Sequence, residues 1–152
     1  MHFTKSCIYG LRASILLSKR GGQNSYITIR ELSEELNISF HFLTKILQEL
    51  SKSEILESYK GPNGGVRLAK APGKISFLEI VTSIDKNYTI NNCPLGLCDC
   101  GDLAPCPLHQ DWMKLKSKLE NMLSEISLED LTARSNIESD VKTNPNPFYQ
   151  IT

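Results

Sequence analysis

The sequence predicts a mainly helical α+β chain, in which a helical head carries a small β-hairpin and a long helix follows near the C-terminus. Three observations lead there. Apolar residues recur at helical spacing between Ile8 and Leu50, two short β-patterned runs flank a glycine-rich turn behind them, and a heptad-like apolar repeat begins at Leu108.

Taken in order, residues 4–18 place Ile8, Leu11, Ile15 and Leu16 at helical spacing, and the run stops at Gly21-Gly22. A second helix begins at Thr28. Thr28-Ile29-Arg30-Glu31 has the form of a capping box, and Ile29, Leu32 and Leu36 share one face. Asn37-Ile38 breaks this helix, and Ser39 is placed to N-cap a third that buries Leu43, Ile46, Leu47 and Leu50. Two short helices joined by about three residues, the second amphipathic, make a helix-turn-helix. After Lys52 the apolar period falls to two. Residues 55–60 and 66–69 read as strands around Gly61-Pro62-Asn63-Gly64-Gly65, where proline fixes φ and glycine permits positive φ. A hairpin directly behind a helix-turn-helix is a winged helix.

Ser76-Phe77-Leu78-Glu79 is a second capping pattern, opening a short helix through Ile80, Val81 and Ile84. Farther on, Leu108, Trp112, Leu115, Leu119, Met122 and Ile126 are separated by alternating steps of 4 and 3, the a/d spacing of a coiled-coil seam and an expected dimer interface. Ser127-Leu128-Glu129-Asp130 starts a last short helix, and from about Ser135 the chain turns polar and proline-bearing, as in a disordered tail. The expected organisation is a winged helix-turn-helix DNA-binding domain over 1–88 and a cysteine-rich loop over 89–107. A dimerisation helix with a short terminal helix covers 108–134, and a tail covers 135–152.

Four of the five cysteines, Cys93, Cys98, Cys100 and Cys106, fall within fourteen residues, and His109 follows. Gly96, Gly101, Pro94, Pro105 and Pro107 forbid regular structure there, leaving a loop rich in soft ligands. Thiolates select zinc or iron–sulfur clusters. Zinc favours paired knuckles, which this loop lacks, and Cys98 and Cys100 are too close in sequence to serve one zinc comfortably. A bare thiol redox switch is the third option. Neither a substrate-binding fold nor a Gly-rich phosphate loop accompanies the cysteines, so an enzyme acting on a small molecule is not expected.

The net charge of zero hides a split. Residues 1–75 hold 11 Lys/Arg against 6 Asp/Glu, and residues 76–152 hold 6 against 11. A basic half joined to an acidic one suits a polyanion-binding head, here duplex DNA. On the third helix the expected groove-facing set is Ser39, His41, Phe42, Thr44, Lys45 and Gln48, with hydroxyls and amide for base edges and Phe42 for a thymine methyl. On the wing it is Lys60, Pro62, Asn63, Gly64 and Arg67, which would meet phosphates or the minor groove. The N-terminus has no apolar targeting core, and no run approaches the roughly 18 apolar residues of a membrane span, so a cytoplasmic protein without membrane contact is expected. In a reducing cytosol clustered cysteines bind metal sooner than they pair, and five cannot form a closed disulfide set. Cys7, set among the apolar residues of the first helix, reads as a small buried hydrophobe.

Over roughly residues 1–131 the chain resembles the winged-helix iron–sulfur transcription regulators typified by IscR and NsrR. The likeness rests on Phe3-Thr4-Lys5 with Tyr9, Leu36-Asn37-Ile38-Ser39, the wing Lys60-Gly61-Pro62-Asn63-Gly64-Gly65, and Ile80-Val81 with Ile84-Asp85. It continues through Cys106-Pro107-Leu108-His109 and Ile126-Ser127-Leu128-Glu129-Asp130-Leu131. The resemblance implies a homodimer with crossing C-terminal helices, and an operator affinity set by a cluster sensing iron–sulfur status, oxidants or nitric oxide. It favours a [2Fe–2S] cluster, with [4Fe–4S] the other nuclearity. Cys93, Cys100 and Cys106 best fit the family's cysteine spacing, with His109 at the fourth-ligand position of the IscR-like branch and Cys98 the alternative. The acidic ligand that the NsrR-like branch carries on its first helix is replaced here by Ile8. A zinc-stapled or metal-free thiol-switched regulator is the alternative reading.

Overall fold

The computed structural model describes residues 3–86, Tyr88 and residues 107–134. Among these, six α-helices and one two-stranded hairpin follow in the order α1 (Lys5–Lys19), α2 (Ile29–Leu36), α3 (Phe40–Lys52), β1 (Leu56–Tyr59), β2 (Gly65–Leu68), α4 (Phe77–Ile84), α5 (His109–Glu125) and α6 (Leu128–Arg134).

The first helix is the pillar of the core. Thr4 caps it by accepting from the Cys7 amide at 3.2 Å, and Gly21 and Gly22, at φ +145° and +57°, turn the chain away at its end. Cys7, Tyr9, Leu11, Ala13, Ile15, Leu16 and Leu17 are all buried, so α1 is covered around most of its circumference. Cys7 is fully buried, as read from the sequence. Ser14, also buried, donates to the Gly10 carbonyl at 2.8 Å and so keeps its hydroxyl satisfied.

The helix-turn-helix forms by the local rules that predicted it. Thr28 and Glu31 close a reciprocal capping box, Asn37 ends α2 in the left-handed conformation (φ 52°), and Ser39 caps α3. Leu43, Ile46, Leu47 and Leu50 are buried. The wing pairs antiparallel with Leu56 opposite Leu68 and Tyr59 opposite Gly65. A further bridge, with Ile27 and Val66 exchanging bonds of 2.9 Å in both directions, ties the wing to the residue before the α2 cap. That bridge explains Gly65. A Cβ there would lie 2.3 Å from the Ile27 carbonyl oxygen, closer than any side chain can stand to backbone.

The second capping pattern is only half made. Ser76 accepts from the Glu79 amide at 3.1 Å, but the Glu79 carboxylate pairs with Lys70 at 2.8 Å instead of reaching back to the cap. By contrast, Ser127 and Asp130 cap α6 reciprocally. The starts of α4 and α6 are joined, with Phe77 donating to Ile126 at 2.9 Å and Leu128 to Ile75 at 2.7 Å. This brings α6 onto α1, and Leu128 is fully buried in the same core as the helix-turn-helix. Leu128→Ala should therefore cost about 2–5 kcal/mol, the price of a large-to-small change in a packed core, read as a lower midpoint in urea denaturation.

Candidate nucleic-acid interface and thiol-rich segment

With its core face buried, α3 presents the rest of its surface outward. His41, Lys45 and Gln48 are exposed and share one side of the helix, at steps of four and three residues. Ser39 is exposed, with its hydroxyl turned to the Phe42 amide at 3.5 Å. Thr44 donates to the Phe40 carbonyl at 2.7 Å, which leaves its methyl as the free surface. Phe42 does not join this outward set. It is half-buried, its ring edge-on to Tyr9 of α1 at 6.0 Å, because it lies one helical turn before the core residue Ile46. Phe40, 45% exposed, is the aromatic at the surface.

The wing stands across from α3. Lys60, Pro62 and Asn63 are exposed at its tip, which Gly64 closes by donating to the Gly61 carbonyl at 2.9 Å. A side chain at Gly64 would meet the Tyr59 carbonyl oxygen at 2.5 Å, so this corner admits only glycine. Arg67 is held on the hairpin by its cross-strand neighbour Glu57, with Nε and Nη2 donating to one carboxylate oxygen at 3.1 and 3.0 Å. The Arg67 bond, and then the Tyr26 hydroxyl, hold the Glu57 carboxyl below its ordinary range. Burial, and then the Glu57 bond, push the Tyr26 phenol up.

Between α3 and the wing lies an open cleft of about 840 Å³, lined among others by Arg30, Phe40, Thr44, Gln48, Tyr59 and Lys60. Arg30, Phe40 and Tyr59 were not among the residues expected from the sequence. The signal for two of them is an exposed aromatic that the core does not need, Tyr59 being 56% exposed.

Cys93, Cys98, Cys100 and Cys106 lie outside the described residues, while His109 opens α5 and is half-buried. The segment's two ends are described. On one side Ile84 packs towards α1, where a Cβ at Gly10 would fall 2.2 Å from its Cδ1 and 3.2 Å from Ile46 Cγ2 of α3. Just beyond, Lys86 pairs with Glu49 of α3 at 3.5 Å, and the Tyr88 ring stacks on Phe3 at 5.5 Å. Lys52, and then Lys86, hold the Glu49 carboxyl below its ordinary range. On the other side runs α5, resting on α4 and anchored by buried Leu123. Of the heptad residues, Leu108, Leu115 and Met122 are 47%, 57% and 47% exposed, an every-seventh-residue column facing solvent. Trp112, Leu119 and Ile126 are half-buried.

The Rrf2 family pattern, described as an iron-dependent transcriptional regulator, matches residues 3–134. The chain belongs to the Rrf2 family. This Rrf2 protein is 30% identical to the HTH-type transcriptional regulator NsrR of Bacillus licheniformis over 132 residues, covering 86% of this chain and 92% of that one. It is 27% identical to the HTH-type transcriptional regulator IscR of Xenorhabdus nematophila, covering 82% and 79%. Its fold matches the structure of CymR, the global cysteine regulator of B. subtilis, with a TM-score of 0.74 at 20% identity over 90% of this chain and 99% of that one. The Rrf2 chain is a DNA-binding transcription regulator with a winged-helix fold, and its relatives are regulators, not enzymes. No helix among its described residues is long and apolar enough to cross a membrane.

One chemical property separates Cys7 from a ligand. Burial pushes its thiol up, with its Thr4 bonds opposing, and Sγ lies 3.8 Å from the Val81 carbonyl. A thiol held protonated is a poor nucleophile. At neutral pH Cys7 should resist iodoacetamide in the native protein and react once guanidinium unfolds it, as mapped by peptide mass spectrometry. The raised value favours the folded state at neutral pH and below, and that contribution falls away as pH rises through the thiol range.

Proposed function

We propose that this Rrf2 protein is a homodimeric transcription regulator whose hold on its operator is set by an iron–sulfur cluster bound in the 89–107 loop, [2Fe–2S] in preference to [4Fe–4S]. The observation that carries this reading is the placement of the loop's two ends. One is wedged against α1 and α3, and the other opens the helix whose apolar column faces solvent. The donor set fits a cluster. Four thiols fall in a segment rich in Gly and Pro, and one imidazole follows at the start of α5. Cys93, Cys100 and Cys106 would hold it, with His109 or Cys98 as the fourth ligand.

When bound, such a cluster supplies metal–thiolate bonds that oxidation, nitrosylation or iron loss can break. The chain's own residues do the rest. Ile84 fills the notch over Gly10, Lys86 holds Glu49, and Tyr88 lies on Phe3, so tension or slack in the loop is felt at the back of α3. Leu108, Leu115 and Met122 meet their counterparts in a second copy, and the angle of that contact sets the distance between two recognition helices. The half-sites they read are about 34 Å apart, or a multiple of that, so a small change in angle decides binding. Ser39, His41, Thr44, Lys45 and Gln48 face the groove, and Lys60, Pro62, Asn63 and Gly64 follow the backbone. These assignments suit a cytoplasmic sensor.

Purified without oxygen, the protein should absorb visible light and carry iron and sulfide. Cys106→Ala should lose both while keeping its helical circular dichroism. A colourless protein carrying zinc, or no metal, that still binds its operator in a regulated way would select the zinc-stapled or thiol-switch reading instead. Lys45→Ala should weaken duplex binding and flatten its salt dependence by about 0.9 in log–log slope, the share of one phosphate contact.

A further inference from the structure

Three side chains at the base of the wing form a closed circuit, and a fourth stacks on it. Arg67 gives two bonds to one oxygen of Glu57, and the Tyr26 hydroxyl donates to the other at 3.0 Å. The Arg67 guanidinium lies over the Tyr26 ring at 4.5 Å, and its Nη1 donates to the Gln23 carbonyl at 3.1 Å. On the ring's other contact stands Tyr59, 5.7 Å away and tilted by 45°. Tyr59 ends the stack. It is more than half exposed, its ring runs along Gly61, and its hydroxyl has no hydrogen-bond partner among the described residues.

A hairpin of two four-residue strands is marginal by itself, so the pitch of the wing over α3 must come from its ties to the body. The Ile27–Val66 bridge is one tie. The circuit is the other, since it joins both strands to residues 23 and 26 of the segment that precedes α2. Arg67 spends three of its five donors and one face of its plane on this work. Turning it to a phosphate would also leave the Glu57 carboxylate without its cation beside the DNA backbone, with only the Tyr26 hydroxyl on it.

We propose that Arg67 is the positioning residue of the wing and not a phosphate contact, and that Tyr59, held at the end of its stack, is a DNA contact donating its hydroxyl to the backbone. This inference rests on the DNA-facing surface proposed above. It also replaces the expectation that Arg67 meets DNA.

The test uses the full chain and a mixed-sequence DNA duplex, with anisotropy titrations across a range of salt. Lys60→Gln should flatten the log–log slope by about 0.9, marking the face as the one that meets phosphate. Arg67→Gln should lower affinity about three- to tenfold, the worth of one net hydrogen bond, with the slope of the unaltered protein. Arg67→Lys should behave the same way, because an ammonium keeps the charge but cannot hold Glu57 in a two-donor fork or stack on Tyr26. Tyr59→Phe should cost a similar factor alone and almost nothing in the Arg67→Gln background. A slope flattened by Arg67→Gln and restored by Arg67→Lys would overturn the proposal, as would a Tyr59→Phe effect undiminished in that background. A slope unmoved by both Lys60→Gln and Lys45→Ala would overturn the reading of the face itself, and the inference with it.

Discussion

The structure depends on the burial of α1. Most globular helices hide one stripe, but this one is covered by α2 and α3, by β2 of the wing, by α4, and by α6 returning from the far end of the chain. Its composition allows this. Ala13, Gly10 and Ser14 are small enough for neighbours to come close, while Leu11, Ile15, Leu16 and Leu17 fill the space between. Full burial of each leucine contributes about 1.5–3 kcal/mol, so the head and the loop's root stand or fall on one shared core.

A shared core has consequences for signalling. Packed interiors transmit displacement instead of absorbing it, since filling them densely leaves no slack. Gly10 is the narrowest point, where Ile84 of α4 and Ile46 of α3 converge on the α1 backbone. The thiol-rich loop leaves the chain four residues beyond Ile84, after Tyr88, and the recognition helix carries Ile46 on its inner side. A few side chains thus separate the described root of that segment from the third helix, and the Lys86–Glu49 pair runs beside them. Solvent screens that ion pair, so the packed Ile84 contact is the firmer tie between the two helices.

How far the sequence could be read varies with how local each cause is. The capping box at Thr28, the left-handed stop at Asn37, the Ser39 cap and the glycine-tipped wing all follow from residues within a few positions of one another. The buried face of α3 was legible for the same reason, as was Cys7. The heptad repeat of 108–126 was visible as a pattern, though not that one of its two columns is half-buried and the other exposed. At the proposed interface, local spacing does not reveal which side chains answer to distant partners. Phe42 was assigned to the groove, yet Tyr9, thirty-three residues away along the chain, holds it inward. Arg30 was passed over because nothing in its own neighbourhood marks the cleft it lines.

The sequence by itself determined the element order, the helix boundaries to within a residue or two and the turn geometries. These are set by backbone sterics and capping hydrogen bonds, which act over a few residues. Only the tertiary structure decided that α6 closes over α1, that Glu79 prefers Lys70 to its own cap, and that Arg67 is bound to Glu57, Gln23 and Tyr26. Those outcomes depend on which charged and aromatic groups meet after folding, and a side chain with several available partners takes the one that the packing brings within reach.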